Sequence, residues 1–204
     1  MDSTYLSLRY NSKARWLSYW YQVSEILEAS PENVLVIGKG SGVTENTIQS
    51  LSNNKIHIVT LDINYAVNSD VVGEVAGLPF RNDSFDAIIC CQVLEHIPYE
   101  KLALALSEMH RVARKRVVLS LPQGRKHLKI AIDAPLLGER RVILKNPVTK
   151  RQCSSKQHYW EIGRGVSHKE VVRQISRIFD IEKEYLNEIS CDQRFFILKR
   201  KKFI

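Results

Sequence analysis

The chain has 204 residues, of which 44% are apolar and 25% charged, and its formal net charge is +8. This is the balance of a soluble globular protein long enough for one domain with a real core. No apolar run approaches the ~20 residues that span a bilayer.

The opening MDSTYLSLRYNSKARW lacks the basic-then-apolar order of a secretory signal, so a cytoplasmic location is expected. Ser12 to Ala29 reads as a helix, because Trp16, Trp20, Val23 and Leu27 recur at spacings of four, three and four on one face. That spacing places Trp16 and Trp20 in the core, and Pro31 closes the helix. Val34 to Ile37 is a short β-branched run, expected as a buried strand, with Thr44 to Ser52 as the helix after it. Ile56 to Leu61 is a second strand ending at Asp62, Val71 to Val75 a third, and Phe85 to Cys91 a fourth buried on both faces. Tyr99 to Ala113 reads as a helix with Leu102, Leu106, Met109 and Ala113 on one face. Arg116 to Leu121 is a fifth strand, stopped by Pro122.

Gln123 to Gly165 has turn residues at Gly124, Pro135, Gly138 and Pro147 and little helical period, so it reads as a lid or insertion of short strands and loops. Val166 to Phe179 returns to a helix, and Ile181 to Tyr185 and Phe195 to Lys199 close the chain as strands. Strands alternating with helices imply βαβ units, with every parallel strand's carboxyl end on one edge. The expected fold is α/β: a three-layer αβα Rossmann-like arrangement around a seven-stranded, mostly parallel sheet with an antiparallel C-terminal edge hairpin. Residues 1–204 are expected as one domain, with a helical cap at 1–31 and the lid at 123–165.

Gly38, Gly40 and Gly42 crowd the first strand-to-helix turn, at the ligand edge of such a sheet. Asp62, at the end of the second strand, can accept hydrogen bonds from both hydroxyls of a ribose. Together they point to an adenosine-containing cofactor, against the plainer reading of a glycine turn serving tight packing alone. A nicotinamide dinucleotide site wants a glycine at position 43, which is Val43. The four cysteines, Cys90, Cys91, Cys153 and Cys191, form no CxxC pair and have no zinc spacing with histidine, so no metal is expected, and Cys90 and Cys91, which close an apolar run, are expected as buried thiols. The basic clusters, Arg111 to Arg116, Lys145 to Lys156 and Lys199 to Lys202, are scattered and lack interleaved aromatics, which permits nucleic acid without favouring it.

VLVIGKGSG, TLDIN and GEVAGLPFRNDSFDAIICCQVLEHIP follow in order, and this series resembles the motifs of class I S-adenosylmethionine-dependent methyltransferases, in particular the small-molecule, methyltransferase domain 11-like group. The resemblance covers Val34 to Pro122. More weakly, HYWEIG (His158 to Gly163) and RFFILK (Arg194 to Lys199) are similar to the C-terminal half of prokaryotic methyltransferases, some linked to surface glycans.

The resemblance implies S-adenosylmethionine as cofactor. It implies that Gly38, Lys39, Gly40, Ser41 and Gly42 approach its methionine and ribose part. Asp62 would bind the ribose, Ile63 would flank the adenine, and Glu74 and Val75 would lie at the adenine edge. Cys91, Gln92 and Val93 would sit near the sulfonium. Val36 stands where the family commonly has an acid that fixes the amino-acid end. From the N-terminal segment, with Arg9, Arg15, Trp16 and Tyr21 also weighed, Tyr10 is the expected lid contact. His96, His158 and Glu161 are the candidate acid–base residues, each weighed against a structural role, and Trp160 reads equally as pocket wall or core anchor. The expected activity is methyl transfer to a small molecule or glycan precursor, with oligomeric state left open. The alternatives are an RNA or protein methyltransferase, a nicotinamide-dependent oxidoreductase and a non-catalytic cofactor-binding module.

Overall fold

The computed structural model describes residues 7, 8, 10–124, 127–134, 138–145 and 153–201, with 127–134 and 138–145 described by backbone alone. The expectations for Arg9, Pro135 and Pro147, the interior (146–152) of the Lys145 to Lys156 cluster and Lys202 at the end of the last one lie outside these residues.

The chain runs α1 (Lys13–Ala29), β1 (Asn33–Ile37), α2 (Val43–Leu51), β2 (His57–Asp62), β3 (Val71–Val72), β4 (Phe85–Cys91), α3 (Leu102–Val112), β5 (Ala113–Pro122), β6 (His127–Ala134), β7 (Gly138–Lys145), β8 (Glu161–Ile162), β9 (Gly165–Val166), α4 (His168–Ser176), β10 (Phe179–Leu186) and β11 (Gln193–Arg200). Seven strands make one sheet in the order β10-β11-β5-β4-β1-β2-β3. All pairings are parallel except those of β11, which runs against both β5 and β10. The Rossmann-like expectation, antiparallel edge included, therefore holds.

Both faces of the sheet are apolar, and the two-residue strand period divides them. Leu35, Ile37, Ile88, Cys90, Val117 and Leu119 point to the side covered by α3 and α4. Val34, Val36, Ala87, Ile89, Val118 and Phe195 point to the side covered by α1 and α2. α3 buries Leu102, Ala105, Leu106 and Met109, a helical stripe. A single 3-10 turn, Tyr99–Lys101, precedes it, so the expected helix starts later; Ala113 leaves it for β5, with ψ 137°. Ser167 caps α4 at its start, where its side chain accepts from the Glu170 N–H at 3.1 Å.

One expectation fails. Trp16 and Trp20 are 55% and 60% exposed. The buried face of α1 is instead Ser18, Gln22, Val23, Glu25 and Ile26. Glu25 is held there by Arg116, Lys183 and the Tyr185 hydroxyl. The inserted region also departs from short strands and loops, because β6 and β7 form a hairpin of eight residues per strand.

Asp86 pins the start of β1 to β4. Its Oδ2 accepts from the N–H groups of Glu32 (2.9 Å) and Asn33 (3.3 Å), and Arg114 and Lys115 face its Oδ1. Burial raises its pKa, but these donors and cations outweigh burial and hold it below the ordinary aspartate value. A depressed folded-state pKa contributes stability that is complete above the unfolded value of about 4 and is lost as the pH falls through the folded value. Asp86→Asn should cost about 1–3 kcal/mol at pH 7, and the gap from wild type should shrink at pH 3. Urea unfolding at both pH values checks this.

Candidate active site

Gly38 follows directly from β1 at the carboxyl edge of the sheet. Its φ is +82° and its N–H bonds the Leu61 carbonyl at 2.8 Å. A Cβ placed there would stand 2.4 Å from Val93 Cγ2. Backbone, not side chain, is therefore required at this crest.

Two hollows flank Gly38. One is an apolar slot lined by Leu61, Asp62, Ile63, Glu74, Val75 and Val93, with His96 at its border. The other is polar: Lys39, Gly40, Ser41, Cys91 and Gln92 meet Tyr10 and the α1 residues Arg15, Ser18, Tyr19 and Gln22, with Val36 in the lining. Gly42 lines neither and serves as N-cap of α2. Tyr19 and Ser41 hydroxyls are 3.0 Å apart, and Thr44 Oγ1 donates to Gln22 at 2.9 Å, so α1 is tied over the glycine loop.

At the slot's rim, Asp62 Oδ1 accepts from the Asn64 N–H at 2.9 Å. Glu74 Oε1 accepts from Lys101 Nζ at 3.0 Å. In the polar hollow, Arg15 Nη1 donates to the Tyr10 hydroxyl at 3.2 Å and its guanidinium lies 4.0 Å from the centre of that ring. Burial pushes the Cys91 thiol up to about 12, so the thiol rather than the thiolate stands there.

A third hollow opens beside the second, with Arg15 and Gln92 common to both. Gln123, Ser154, His158, Glu161 and Arg164 line it. Glu161 is fully buried. Its carboxylate accepts from the Ser154 N–H (2.6 Å) and hydroxyl, from His158 Nδ1 (2.8 Å) and from Arg164 (3.2 Å). Burial raises its pKa, but these donors hold it below the ordinary glutamate value.

His96 and His158 meet edge-on with ring centroids 5.0 Å apart. Burial, opposed by the Gln157 carbonyl, holds His96 below the ordinary histidine value. Glu95 beside it is fully buried, and burial pushes its carboxyl up to about 8. Trp160 is a core anchor: it is 2% exposed, its indole donates to the Ile97 carbonyl at 3.1 Å, and Tyr99 packs edge-on against it.

The three acid–base candidates thus come together, and all the cofactor candidates except Gly42 border the two hollows at Gly38. Sequence reasoning passed over Ser18, Tyr19 and Gln22. Their signal was a polar stripe, Arg15-Ser18-Tyr19-Gln22, at helical spacing.

Residues 35–121, from β1 to β5, match the model of a family described as a methyltransferase domain, in agreement with the resemblance carried by the motifs. No curated protein matches the chain. Among solved structures, the chain is similar to the PH0226 protein of Pyrococcus horikoshii OT3, at 14% identity over 98% of this chain and 99% of that one, with a TM-score of 0.60. It is similar to 1,6-didemethyltoxoflavin-N1-methyltransferase of Burkholderia thailandensis, solved with S-adenosylhomocysteine, at 14% identity over 98% and 87%, TM-score 0.58. It is also similar to magnesium protoporphyrin IX methyltransferase of Synechocystis PCC 6803, solved with S-adenosylmethionine, at 14% identity over 92% and 80%, TM-score 0.60. At such identities the likeness is one of fold.

Proposed function

We propose that this chain, with its methyltransferase-domain match over residues 35–121, moves the methyl group of S-adenosylmethionine to a small-molecule or glycan-precursor acceptor. The observation that carries this reading is the side-chain-free crest at Gly38 between an apolar slot and a polar hollow. A flat base suits the slot, and a charged amino-acid end suits the hollow. The residues present therefore fit the cofactor, which supplies a methyl group already activated on a positive sulfur.

Asp62 accepts from the ribose hydroxyls, and Ile63, Glu74 and Val75 border the adenine. Arg15 takes the cofactor's carboxylate, with Ser18 and Gln22 beside it. This polar face of α1 stands in for the acid missing at Val36. Gln92 and Arg15, common to the polar hollow and the third, mark where cofactor and acceptor meet. The third hollow is the acceptor site, walled by the inserted segment, and α1 is the cap. The protein's task is to orient the partners and exclude water. The histidines, His158 oriented by Glu161, supply the lone pairs that receive an acceptor proton. The whole chain works as one unit. Two similar enzymes are named for small acceptors, a didemethyltoxoflavin and a porphyrin, which supports a small molecule here.

Calorimetric titration with S-adenosylhomocysteine maps the site. Asp62→Ala and Arg15→Ala should each weaken binding about 10- to 100-fold, the equivalent of about 1.5–3 kcal/mol for a hydrogen bond to a charged group. Unchanged affinity in Asp62→Ala would contradict the assignment.

A further inference from the structure

The acid–base reading uses two histidines and leaves Glu95 unexplained. Glu95, His96 and His158 each offer a ligand-type atom within 4.8 Å of the other two. Glu95 is fully buried, and neither of its carboxyl oxygens has a hydrogen-bond partner among the described residues. Its own backbone N–H and, through space, Arg15 favour its charged form, whereas burial and Glu161 oppose it. A buried carboxyl in this state is unfavourable unless something comes to pair it. Glu161 nearby shows the contrast, since four donors satisfy it.

The two imidazoles are held from behind. His96 Nδ1 lies 3.2 Å from the Gln157 carbonyl, which can only accept, so Nδ1 carries the proton and Nε2 keeps the lone pair. His158 Nδ1 lies 2.8 Å from the Glu161 carboxylate, with the same consequence. A carbonyl behind one ring and a carboxylate behind the other is the outer shell that fixes the tautomer of a ligating histidine and raises its basicity.

We propose that Glu95, His96 and His158 bind one divalent first-row metal ion of the zinc type. Two imidazoles and a carboxylate suit such an ion, and three protein ligands leave a position open for an oxygen. The ligand atoms must close to about 3.3 Å, the separation around a tetrahedral ion with bonds of about 2.05 Å. His96, the exposed member, has room to make that move. Glu95 ionises as the ion enters, releasing its proton to water. The role of the ion rests on the methyl-transfer reading and replaces its histidine base: the ion holds an acceptor hydroxyl oxygen and lowers its pKa, the proton passes to water, and the oxygen forms its bond to the methyl carbon as the carbon–sulfur bond breaks and S-adenosylhomocysteine leaves, so the acceptor class is an alcohol or phenol.

The test is calorimetric titration of metal-stripped full-length protein with zinc chloride, and separately with manganese chloride. S-adenosylhomocysteine is titrated in parallel. One ion per chain should bind, and Glu95→Gln, His96→Asn and His158→Asn should each weaken it at least ~10-fold. Glu95→Gln and His158→Asn should keep S-adenosylhomocysteine binding. No ion bound by wild type, or equal binding by all three variants, overturns the proposal whatever the cofactor titration shows. Ion binding without S-adenosylhomocysteine binding would instead remove the methyl-transfer reading and leave the site. Should a variant fail to fold, cobalt(II) absorption of the wild type decides: bands of protein-ligated cobalt support the site, and the spectrum of the hydrated ion overturns it.

Discussion

Gly38→Ala should reduce affinity for S-adenosylmethionine by at least about 100-fold, or about 2.7 kcal/mol, while the protein stays folded. Two effects combine. At φ +82° an alanine sits in the left-handed region, which costs about 1–2 kcal/mol. Its Cβ would also meet Val93 Cγ2 at 2.4 Å, so Val93 must move where it lines the slot. Overpacking of this kind costs about 1–3 kcal/mol. The same crest carries the Gly38 N–H bond to Leu61, so displacement passes to the strand that ends at Asp62. Adding Val93→Ala removes the clash and leaves the backbone strain. The double variant should therefore regain stability in urea but only part of its cofactor affinity. Wild-type affinity in Gly38→Ala would sink the idea that backbone approaches the ligand there.

Trp160→Ala should destabilise the protein by about 3–5 kcal/mol, the cost of removing a large buried aromatic. The side chain is 2% exposed and joins the main core cluster. It also fastens the inserted segment to the loop after β4, through its hydrogen bond to the Ile97 carbonyl. Trp160→Phe keeps most of the packing and leaves that carbonyl without its donor, so about 1–3 kcal/mol is expected. Urea unfolding of the three proteins measures both. A loss under about 1 kcal/mol in the alanine variant would show that Trp160 is not an anchor.

The parts of the fold that were legible share one physical cause. β1, β4 and β5 lie in the middle of the sheet with both faces covered, so they read as unbroken apolar runs. The glycine turn was legible because a positive φ and a crowded crest restrict residue type. The phase of α1 was not. Its buried face is polar where it meets the glycine loop, and Trp16 and Trp20 lie on the exposed face, so hydrophobic periodicity pointed the wrong way. The β6–β7 hairpin carried a signal in the alternation of Leu128, Ile130 and Ile132, but the surrounding turn residues dominated the reading. Nothing in QVLEHIP told of a buried Glu95 whose carboxyl has no side-chain partner among the described residues, because that state depends on which residues fail to reach it.

Calorimetry of the wild-type protein with S-adenosylmethionine, S-adenosylhomocysteine and NAD tests whether the Gly38 crest holds S-adenosylmethionine. One-to-one binding of the first two, with none of NAD, is the predicted result. Binding of NAD alone, or of none of the three, would contradict it.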